Sequence, residues 1–433
     1  MSILTPMTRS FKKSTEHLIR AEASIPLGAQ TFSKSRTQYP VGYSPLYVAK
    51  GKKAHLWDID GNRFVDLVAA LGAVSIGYCN RHIDNAVKKQ MKSGVTFSLS
   101  SKLESEVAEL LIELLPDAEM VRFAKNGSDV TSAAIRLARH ITGKKFVVRS
   151  SYHGWHDWYI GSTTRNSGVP KEVSDLTLVL PFNDLKEAER IFHDHGHEIS
   201  CLILEPIGAD YPAAGYLPGL RNLCDRYGAL LVFDEVVTGF RVSKAGAGPL
   251  FGTSPDLSCF GKGIANGYPL SAIVGKREFM KELTEVFFSG TFGGETLSLA
   301  AAYQVLNFVK QGLIVERLED IGLTLQKRIR SLITENSIEF LSLSGHPAWK
   351  FIKWNVESSQ IDNVKTLFLQ EMLQEGILIL NTFNIMTSLS TRDLDKIEDA
   401  FAKVLPKLDY CIQSSDFERY LRAETIRPLF KIR

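Results

Sequence analysis

The chain has 433 residues, of which 44% are hydrophobic and 23% charged, close to the averages of globular proteins. This length allows about two or three domains with a large buried core. The formal net charge is only +3, from 51 basic and 48 acidic residues. That balance gives no reason to expect binding to nucleic acid or to an anionic membrane.

The cysteines and the first residues indicate a compartment. Five cysteines occur without a Cys-x-x-Cys pair, and three of them lie in or beside apolar runs. This usage fits a reducing environment better than secretion. No secretory signal is predicted in the first 20 residues. Residues 67–79, the longest weakly polar stretch, are too few for a spanning helix of about 20 residues. We therefore expect a cytoplasmic protein without a membrane-spanning segment.

The first part of the chain predicts short elements. Residues 1–50 are mixed and polar, and three of their prolines, Pro26, Pro40 and Pro45, are expected to break any long element there. Two or three short strands follow within residues 43–68, with a hairpin turn at Asp60-Gly61. Helical spacing of apolar residues then predicts two helices, at 83–92 and 103–115.

The middle of the chain alternates between apolar strands and helices. Strands are predicted at 120–124, 146–149, 201–204, 229–233, 257–260 and 271–274. Helices are predicted at 130–140 and 218–227. This alternation predicts an α/β domain with a mostly parallel sheet that is buried on both faces.

The last part of the chain predicts a second domain. After about residue 313, amphipathic helices mix with short strands such as 377–380. We expect residues 76–312 to form a large α/β domain and residues 313–433 a smaller α+β domain, which residues 1–75 join. The closing residues, 418–433, are basic and amphipathic, and we expect them to pack on their own dimer and not on a membrane.

Two charged residues follow predicted strands of the sheet. Asp234 comes directly after the segment ALLVF, and ligands of open α/β sheets bind at the carboxyl ends of strands. A helix cap or a solvated loop carboxylate is the alternative for Asp234. Lys262 stands between two glycines after strand 257–260. A free lysine, with a pKa of about 10.4, is a poor nucleophile at pH 7, whereas a Schiff base with an aldehyde cofactor avoids that problem.

Two further segments are candidates for ligand binding. The turn from Lys125 to Asp129 leads into a predicted helix, and the N–H groups at such a helix start can bind an anion. A plain helix cap is the alternative. The aromatic segment 152–156 could stack on a flat ring, or could be a structural aromatic cluster.

Together these four features suit one ligand, an aromatic ring that carries an aldehyde and a phosphate. The aldehyde needs a lysine, the phosphate a helix start, and the ring face a packing surface. A carboxylate about 4 Å from a pyridinium, at an effective dielectric constant of about 20, attracts it by about 4 kcal/mol. That attraction can keep the ring protonated, so that it accepts electrons.

These segments resemble the class III aminotransferases, particularly the glutamate-1-semialdehyde aminomutases and related aminotransferases. The resemblance covers about residues 25–405 and rests on motifs such as YHGWHDW, LLVFDEVVTGFR, DLSCFGKGIANGYPLSAIVG and SGTFGGETLSLAAA. It implies the fold type I of pyridoxal-phosphate-dependent transferases, which is the aspartate-aminotransferase fold. It also implies a homodimer with its active sites at the interface.

The resemblance implies roles for individual residues. Lys262 matches the Schiff-base lysine, and Asp234 matches the carboxylate on the pyridine nitrogen. Val236 and Tyr152 match the residues on the two faces of the ring. Glu205 belongs to a strand-end Glu-Pro pair that organises the site.

The resemblance also implies how the cofactor phosphate is bound. Gly127 and Ser128 match the phosphate turn, and Thr291 matches a residue that the neighbouring subunit donates. Two departures lie close to these positions. The usual Ser-Gly-Thr-Glu-Ala reads Asn-Gly-Ser-Asp-Val at 126–130, and the usual Gly-Asn-Pro reads Gly-Glu-Thr at 294–296. A hydroxyl and a carboxylate are retained in the first, so cofactor binding should survive.

Another departure concerns the substrate. Lys34 takes the place of the arginine that binds the substrate carboxylate in the aminomutases, and a lysine lacks the bidentate fork. Residues 380–384 contain no late arginine of the kind that many class III transaminases use. We therefore name Lys34, Trp155 and Asn381 as candidate substrate residues.

Three functions follow as hypotheses. The first is a transaminase that passes an amino group from a donor such as glutamate to an oxo substrate, which we suggest is a sugar or sugar-acid derivative. The second is an aminomutase that moves the amine within one molecule. The third is a cofactor-binding scaffold without catalysis. No metal site is predicted, because residues 193–197, although rich in histidine, read as a solvated polar loop.

Overall fold

The computed structural model describes residues 9–427. In chain order, the strands are β1 Val48–Lys52, β2 His55–Asp58, β3 Arg63–Asp66, β4 Met120–Ala124, β5 Phe146–Ser150, β6 Thr177–Val179, β7 Ile199–Leu204, β8 Leu230–Glu235, β9 Leu257–Phe260, β10 Ser271–Gly275, β11 Leu341–His346, β12 Trp349–Trp354, β13 Ile377–Leu378 and β14 Thr382–Asn384.

The helices, again in chain order, are α1 Lys12–Glu22, α2 Ala69–Gly72, α3 Arg81–Met91, α4 Lys102–Leu114, α5 Gly127–Thr142, α6 Asp157–Ile160, α7 Lys171–Ser174, α8 Leu185–His195, α9 Tyr216–Tyr227, α10 Gly248–Phe251, α11 Arg277–Met280, α12 Thr296–Lys310, α13 Val315–Glu335, α14 Ile361–Gln374 and α15 Thr391–Ser414. The residues of α2 all have positive φ, so this element is a left-handed turn.

The described chain folds into two compact units. The first unit contains residues 9–80 and 317–427, and the second contains residues 81–316. In the first unit, one sheet has the order β1-β2-β3-β13 and another has the order β11-β12-β14. The described end of the chain packs on α14 of the same unit, where Gln370 Oε1 accepts hydrogen bonds from the backbone of Arg422 and Ala423.

The second unit is built around a seven-stranded sheet with the order β4-β10-β9-β8-β7-β5-β6. The strands β6, β5, β7, β8 and β9 are mutually parallel, whereas β10 runs antiparallel to both of its neighbours. The residues of β7 and β8 are buried throughout. Apolar cores lie against the sheet and include residues of α5 on one side and of α8 and α9 on the other. The prediction of a mostly parallel, doubly covered sheet is confirmed.

Three local expectations were wrong. Residues 12–22 form α1, an 11-residue helix that ends before the first of the three prolines. The predicted strand at 377–380 has only two paired residues, at Ile377–Leu378. Residues 193–197 are the last turn of α8 and a short 3₁₀ helix, not a loop, because the helical hydrogen bonds continue to Gly196.

Two structural features are absent from residues 9–427: a cluster of metal-binding side chains and a membrane-spanning helix. No group of His, Cys, Asp or Glu side chains in this range is arranged to hold a metal ion. No helix in it combines the length and the apolar character that crossing a membrane requires. Residues 1–8 and 428–433, with the extreme N-terminus and the last part of the basic tail, lie outside the described range.

Candidate functional site

The carboxyl end of β8, the central strand of the second unit, carries Asp234 and Glu235. Both side chains are buried, with 4% and 2% of their surfaces exposed. In the parallel pair with β9, Asp234 lies opposite Cys259, three residues before Lys262. Asp234 and Lys262 therefore leave the sheet at the same edge on adjacent strands, which lie about 4.8 Å apart.

Asp234 is held in place by two hydrogen bonds. Its Oδ1 accepts from the backbone N–H of Val236 at 3.0 Å, and its Oδ2 lies 2.8 Å from His153 Nδ1. The other ring nitrogen of His153 lies 2.8 Å from the carbonyl oxygen of Ser150. Because a carbonyl oxygen only accepts, Nε2 carries a hydrogen, and one further proton is shared between His153 and Asp234. The carboxylate is thereby fixed in position and partly balanced in charge.

The glycines around Val236 bring three sequence motifs together. A Cβ at Gly127 would lie 2.9 Å from a methyl group of Val236, and a Cβ at Gly261 would lie 3.2 Å from it. The Cβ atoms of real side chains essentially never come as close to another atom as 2.9 Å. The turn at 126–128, the end of β8 and the segment that carries Lys262 therefore meet at one side chain.

Lys262 has an unusual backbone. Its φ is 43°, in the left-handed region, and it starts a short 3₁₀ helix, Lys262–Ala265. A residue other than glycine in a sparsely populated region costs about 1–3 kcal/mol, and such residues cluster at functional sites. The side chain is partly buried. The left-handed backbone and the partly buried side chain fit a lysine whose orientation is fixed by the fold.

The turn at 126–128 starts α5, a 16-residue helix. Asp129 Oδ2 accepts from the backbone N–H of Asn126 at 2.8 Å, which closes a capping box at this end. The first turn of the helix lies beside the aromatic segment, since Gly154, with φ of 110°, has no room for a Cβ against Ser128 Oγ. The N–H groups of such a helix start attract anions.

The aromatic segment packs around Asp234. Tyr152 meets Tyr159 edge-to-face with ring centroids 5.4 Å apart, and the ring of His153 stacks on Trp158 at 6.1 Å. Burial, and then the charges of Asp234 and Glu205, raise the pKa of the Tyr152 hydroxyl. Glu205 follows β7 directly and is 3% exposed. Tyr152 and Glu205 therefore belong to the same cluster as Asp234.

Thr291 and Trp155 are exposed and lie at the rim of this cluster. Thr291 lines a cavity of about 840 Å³ together with Lys125 and Asp129, which flank the turn at 126–128. Lys262 and Asp234 do not line this cavity. The structure therefore places Thr291 near the predicted phosphate turn, on an open face of the second unit.

Lys34 and Asn381 belong to the first unit. Lys34 ends a short 3₁₀ helix, Phe32–Lys34, and is exposed. Asn381 is also exposed, and its Oδ1 accepts from Trp354 Nε1 at 3.3 Å.

Two residues of the cluster had no assigned role in the sequence analysis. His153 was placed in an aromatic segment, and its bond to Asp234 links residues 81 positions apart. Glu295, which replaces the asparagine of the family pattern, caps α12 by accepting from the backbone N–H groups of Leu297 and Ser298. It also pairs with Lys125 at 3.1 Å. The sequence signal that could have indicated this role is an acidic residue directly before a predicted helix.

Known proteins are similar in sequence to most of this chain. The sequence pattern of the family Aminotransferase class-III matches residues 38–405. A glutamate-1-semialdehyde 2,1-aminomutase from Persephonella marina is 34% identical over 399 residues, which are 84% of this chain and 93% of that protein.

Solved structures show the same fold. The FumI protein of Sphingopyxis sp. MTA144, solved with pyridoxal phosphate, superposes with a TM-score of 0.87 at 25% identity, over 93% of this chain and 98% of that one. An omega-transaminase from Sphaerobacter thermophilus gives a TM-score of 0.82 at 26% identity, over 91% and 97% of the two chains. The chain therefore belongs to the class III aminotransferases, which are pyridoxal-phosphate-dependent enzymes of fold type I.

Proposed function

We propose that this class III enzyme is a transaminase whose cofactor is bound by Lys262 and Asp234. In this proposal it takes an amino group from a donor such as glutamate and passes it to an oxo substrate. The observation that carries the assignment of the site is the buried Asp234, fixed by His153 and Val236 at the strand edge that Lys262 shares. Tyr152, next to His153, lies close enough for the charge of Asp234 to raise the pKa of its hydroxyl.

The residues of the cluster fit pyridoxal phosphate. Because Gly127 and Gly261 have no side chain, their backbones pack directly against Val236, where a Cβ at either position would crowd its methyl groups. In our proposal Val236 and Tyr152 take the two faces of the ring, while Gly127 and Ser128 take the phosphate. Thr291 of a second subunit would complete the phosphate site, and Glu205 would position Tyr152.

When bound, the cofactor supplies an aldehyde that reacts with amines and a ring that accepts electrons. Asp234 then keeps the ring nitrogen protonated, with an attraction of about 4 kcal/mol at about 4 Å. His153 keeps the carboxylate aimed at that nitrogen. The amine of Lys262 would hold the cofactor covalently and, when free, would accept and return a substrate proton. The apolar core that packs against Tyr152 and Val236 excludes water from this side.

Lys34 supports a transaminase over an aminomutase, because a single ammonium binds a carboxylate without the bidentate geometry of arginine. The aminomutase remains the alternative, favoured by the relative from Persephonella marina. Mixing the purified enzyme with glutamate distinguishes them. A transaminase releases one equivalent of 2-oxoglutarate and leaves the cofactor in its amine form. No reaction with glutamate, together with isomerisation of glutamate-1-semialdehyde, would establish the aminomutase instead.

We further propose a sugar or sugar-acid derivative as the oxo substrate. Residues 380–384 contain no arginine, so a polar, uncharged substrate suits this region better than a second dicarboxylate. A panel of keto sugars and keto acids, offered to the amine form of the enzyme, tests this idea. Preference for simple keto acids over every keto sugar would contradict it.

A homodimer is supported by apolar residues on the surface of the second unit. Leu99, Phe287 and Phe292 are 84%, 81% and 59% exposed, and Phe292 and the residues next to the other two line the cavity that contains Thr291. Large exposed apolar patches mark interaction sites. The doublet Leu99→Glu/Phe292→Glu should give a monomer by light scattering, whereas Leu323→Glu, an exposed leucine of α13, should leave a dimer. A native monomer would contradict the proposal.

Two expectations from the sequence stay predictions. One is a cytoplasmic location, supported by unpaired cysteines, which are all free in the described range. The other is the set of domain limits at residues 75/76 and 312/313. Limited proteolysis tests the limits, since cleavage between β4 and β10 before cleavage near residue 313 would argue against them.

A further inference from the structure

A strongly basic cavity lies in the first unit, between the sheet β1-β2-β3 and the start of α15. Its volume is about 860 Å³. Six cationic side chains line it, together with the single carboxylate of Asp393: Arg9, Lys52, Lys53, Arg63, Arg392 and Lys396. The cavity thus has an excess of five positive charges, more than the +3 of the entire chain.

Asp393 offsets only one of these six positive charges, and its oxygens are already hydrogen-bonded. Oδ1 lies 2.8 Å from His55 Nε2, and Oδ2 accepts from the backbone N–H and the hydroxyl of Ser390. Burial raises the pKa of Asp393, but the hydrogen bonds from His55 and Ser390 outweigh burial and lower it to about 2. The carboxylate therefore stays charged and caps α15, and five positive charges of the cavity remain in excess.

Two of the cations are crowded together. The guanidinium of Arg9 and the ammonium of Lys396 both lie within 3.0 Å of the position that a Cβ of Gly376 would take. Burial, and then the charges of Arg9 and Arg63, lower the pKa of Lys396. The charge of Glu375 acts in the opposite direction on both Arg9 and Lys396, but burial outweighs it and the pKa of each stays lowered. Like charges held this close together favour the binding of an anion.

Other groups of the cavity add specificity. Trp57 lines it, and Arg63 is positioned over the indole ring at 5.6 Å. The hydroxyl of Ser388 is shielded from water and has no hydrogen-bond partner among the described residues. Ser388 lines the cavity, but its hydroxyl packs against Gly77, so it is not counted among the ligand-binding groups. The positive end of the 24-residue helix α15 points to the same place.

We propose that this cavity binds a small molecule that carries at least two phosphate groups, either free diphosphate or the diphosphate of a nucleotide. Arginine and lysine side chains around one space match the charge density of such an anion. The volume falls within the range of about 300–1,000 Å³ that small-molecule sites occupy. A nucleic acid would need a basic surface extending beyond the cavity, and the remaining chain has a slight negative excess.

Calorimetric titration of the holoenzyme with pyrophosphate and with ADP tests the proposal. Saturation with pyridoxal phosphate keeps the cofactor site from taking the probe, and sodium sulfate at equal ionic strength is the reference. We expect saturable binding of pyrophosphate, ADP or both. Tighter binding of ADP identifies a nucleotide, and equal binding identifies the diphosphate alone; both results support the site.

Matched variants locate the binding. Lys52→Gln/Arg392→Gln removes two exposed cations of the cavity and should weaken binding at least tenfold without a change in melting temperature. Lys327→Gln/Arg330→Gln removes two exposed cations of α13 in the same unit and should leave binding unchanged. Three results would overturn the proposal: no binding beyond that of sulfate, equal weakening in both doublets, or binding of a single-stranded oligonucleotide without binding of pyrophosphate.

Discussion

Asp234 receives its two hydrogen bonds from a backbone N–H two residues later and from His153, which lies in a different loop. The hydrogen bond between Asp234 and the imidazole nitrogen of His153 is charge-assisted, and hydrogen bonds of that kind contribute about 1.5–3 kcal/mol to stability. Without it, the carboxylate would keep only the N–H of Val236. Its distance to the cofactor nitrogen would then vary, and its hold on the ring proton would weaken.

We expect His153→Ala to lower kcat about ten- to hundredfold, which corresponds to the free energy of the lost bond. The pH at which the absorbance of the bound cofactor titrates should shift as well, which a merely structural role would not produce. His193→Ala removes an exposed histidine from α8 and is the control. An unchanged kcat with an unchanged absorbance titration in the His153 variant would remove this residue from the site.

The contact between Gly127 and Val236 gives a second prediction at this scale. A methyl group added at position 127 would lie 2.9 Å from Val236, and overpacking of this kind costs about 1–3 kcal/mol. Gly127→Ala should therefore bind pyridoxal phosphate at least tenfold more weakly. The doublet Gly127→Ala/Val236→Ala should recover most of that affinity, because the clashing methyl groups are gone. Equal affinity of Gly127→Ala and the native enzyme, measured by fluorescence titration, would show that the contact between Gly127 and Val236 does not shape the cofactor site.

Among the elements, α12 depends on the carboxylate that caps it. Glu295 accepts from two backbone N–H groups and from the hydroxyl of Ser298, and it pairs with Lys125. Burial raises the pKa of Glu295, but these hydrogen bonds outweigh burial and lower it. Burial also lowers the pKa of Lys125 more than its pairing with Glu295 raises it. The cap therefore matters more to stability than the ion pair does.

We expect Glu295→Ala to destabilise the protein by about 0.5–2 kcal/mol at pH 7, as for other lost helix caps. Because the pKa of Glu295 is lower in the folded state, its contribution is present above the unfolded value of 4.5 and is lost as the pH falls below it. The difference in melting temperature between the native protein and the variant should accordingly shrink from pH 7 to pH 4. A difference that grows on acidification would contradict this role.

Most elements of the second unit could be predicted because their strands are buried and apolar. The predicted strands at 120–124 and 257–260 agree with β4 and β9 to the residue. The antiparallel direction of β10 was not predicted, since apolar runs do not encode strand direction. α1 was missed because Pro26, Pro40 and Pro45 argue against a long element in this segment, although the buried residues 11, 14, 18 and 21 have helical spacing.

The candidate site was predicted in part for the same reason. Motifs that follow strand ends, such as Asp234 and Lys262, converge because parallel strands share one edge. Contacts between distant segments depend on how the elements pack, so neither the bond from His153 to Asp234 nor the packing of Gly127 on Val236 could be read from local patterns. The roles of these residues with the cofactor stay predictions.

For the whole molecule, the central claim is that Lys262 is the one lysine that binds pyridoxal phosphate covalently. Reduction of the holoenzyme with borohydride, followed by digestion and mass spectrometry, measures this directly. We expect one pyridoxyl group per chain, on the peptide that contains Lys262, and none in Lys262→Ala. A pyridoxyl group on another lysine, such as the partly buried Lys125, or no modified peptide at all, would contradict it.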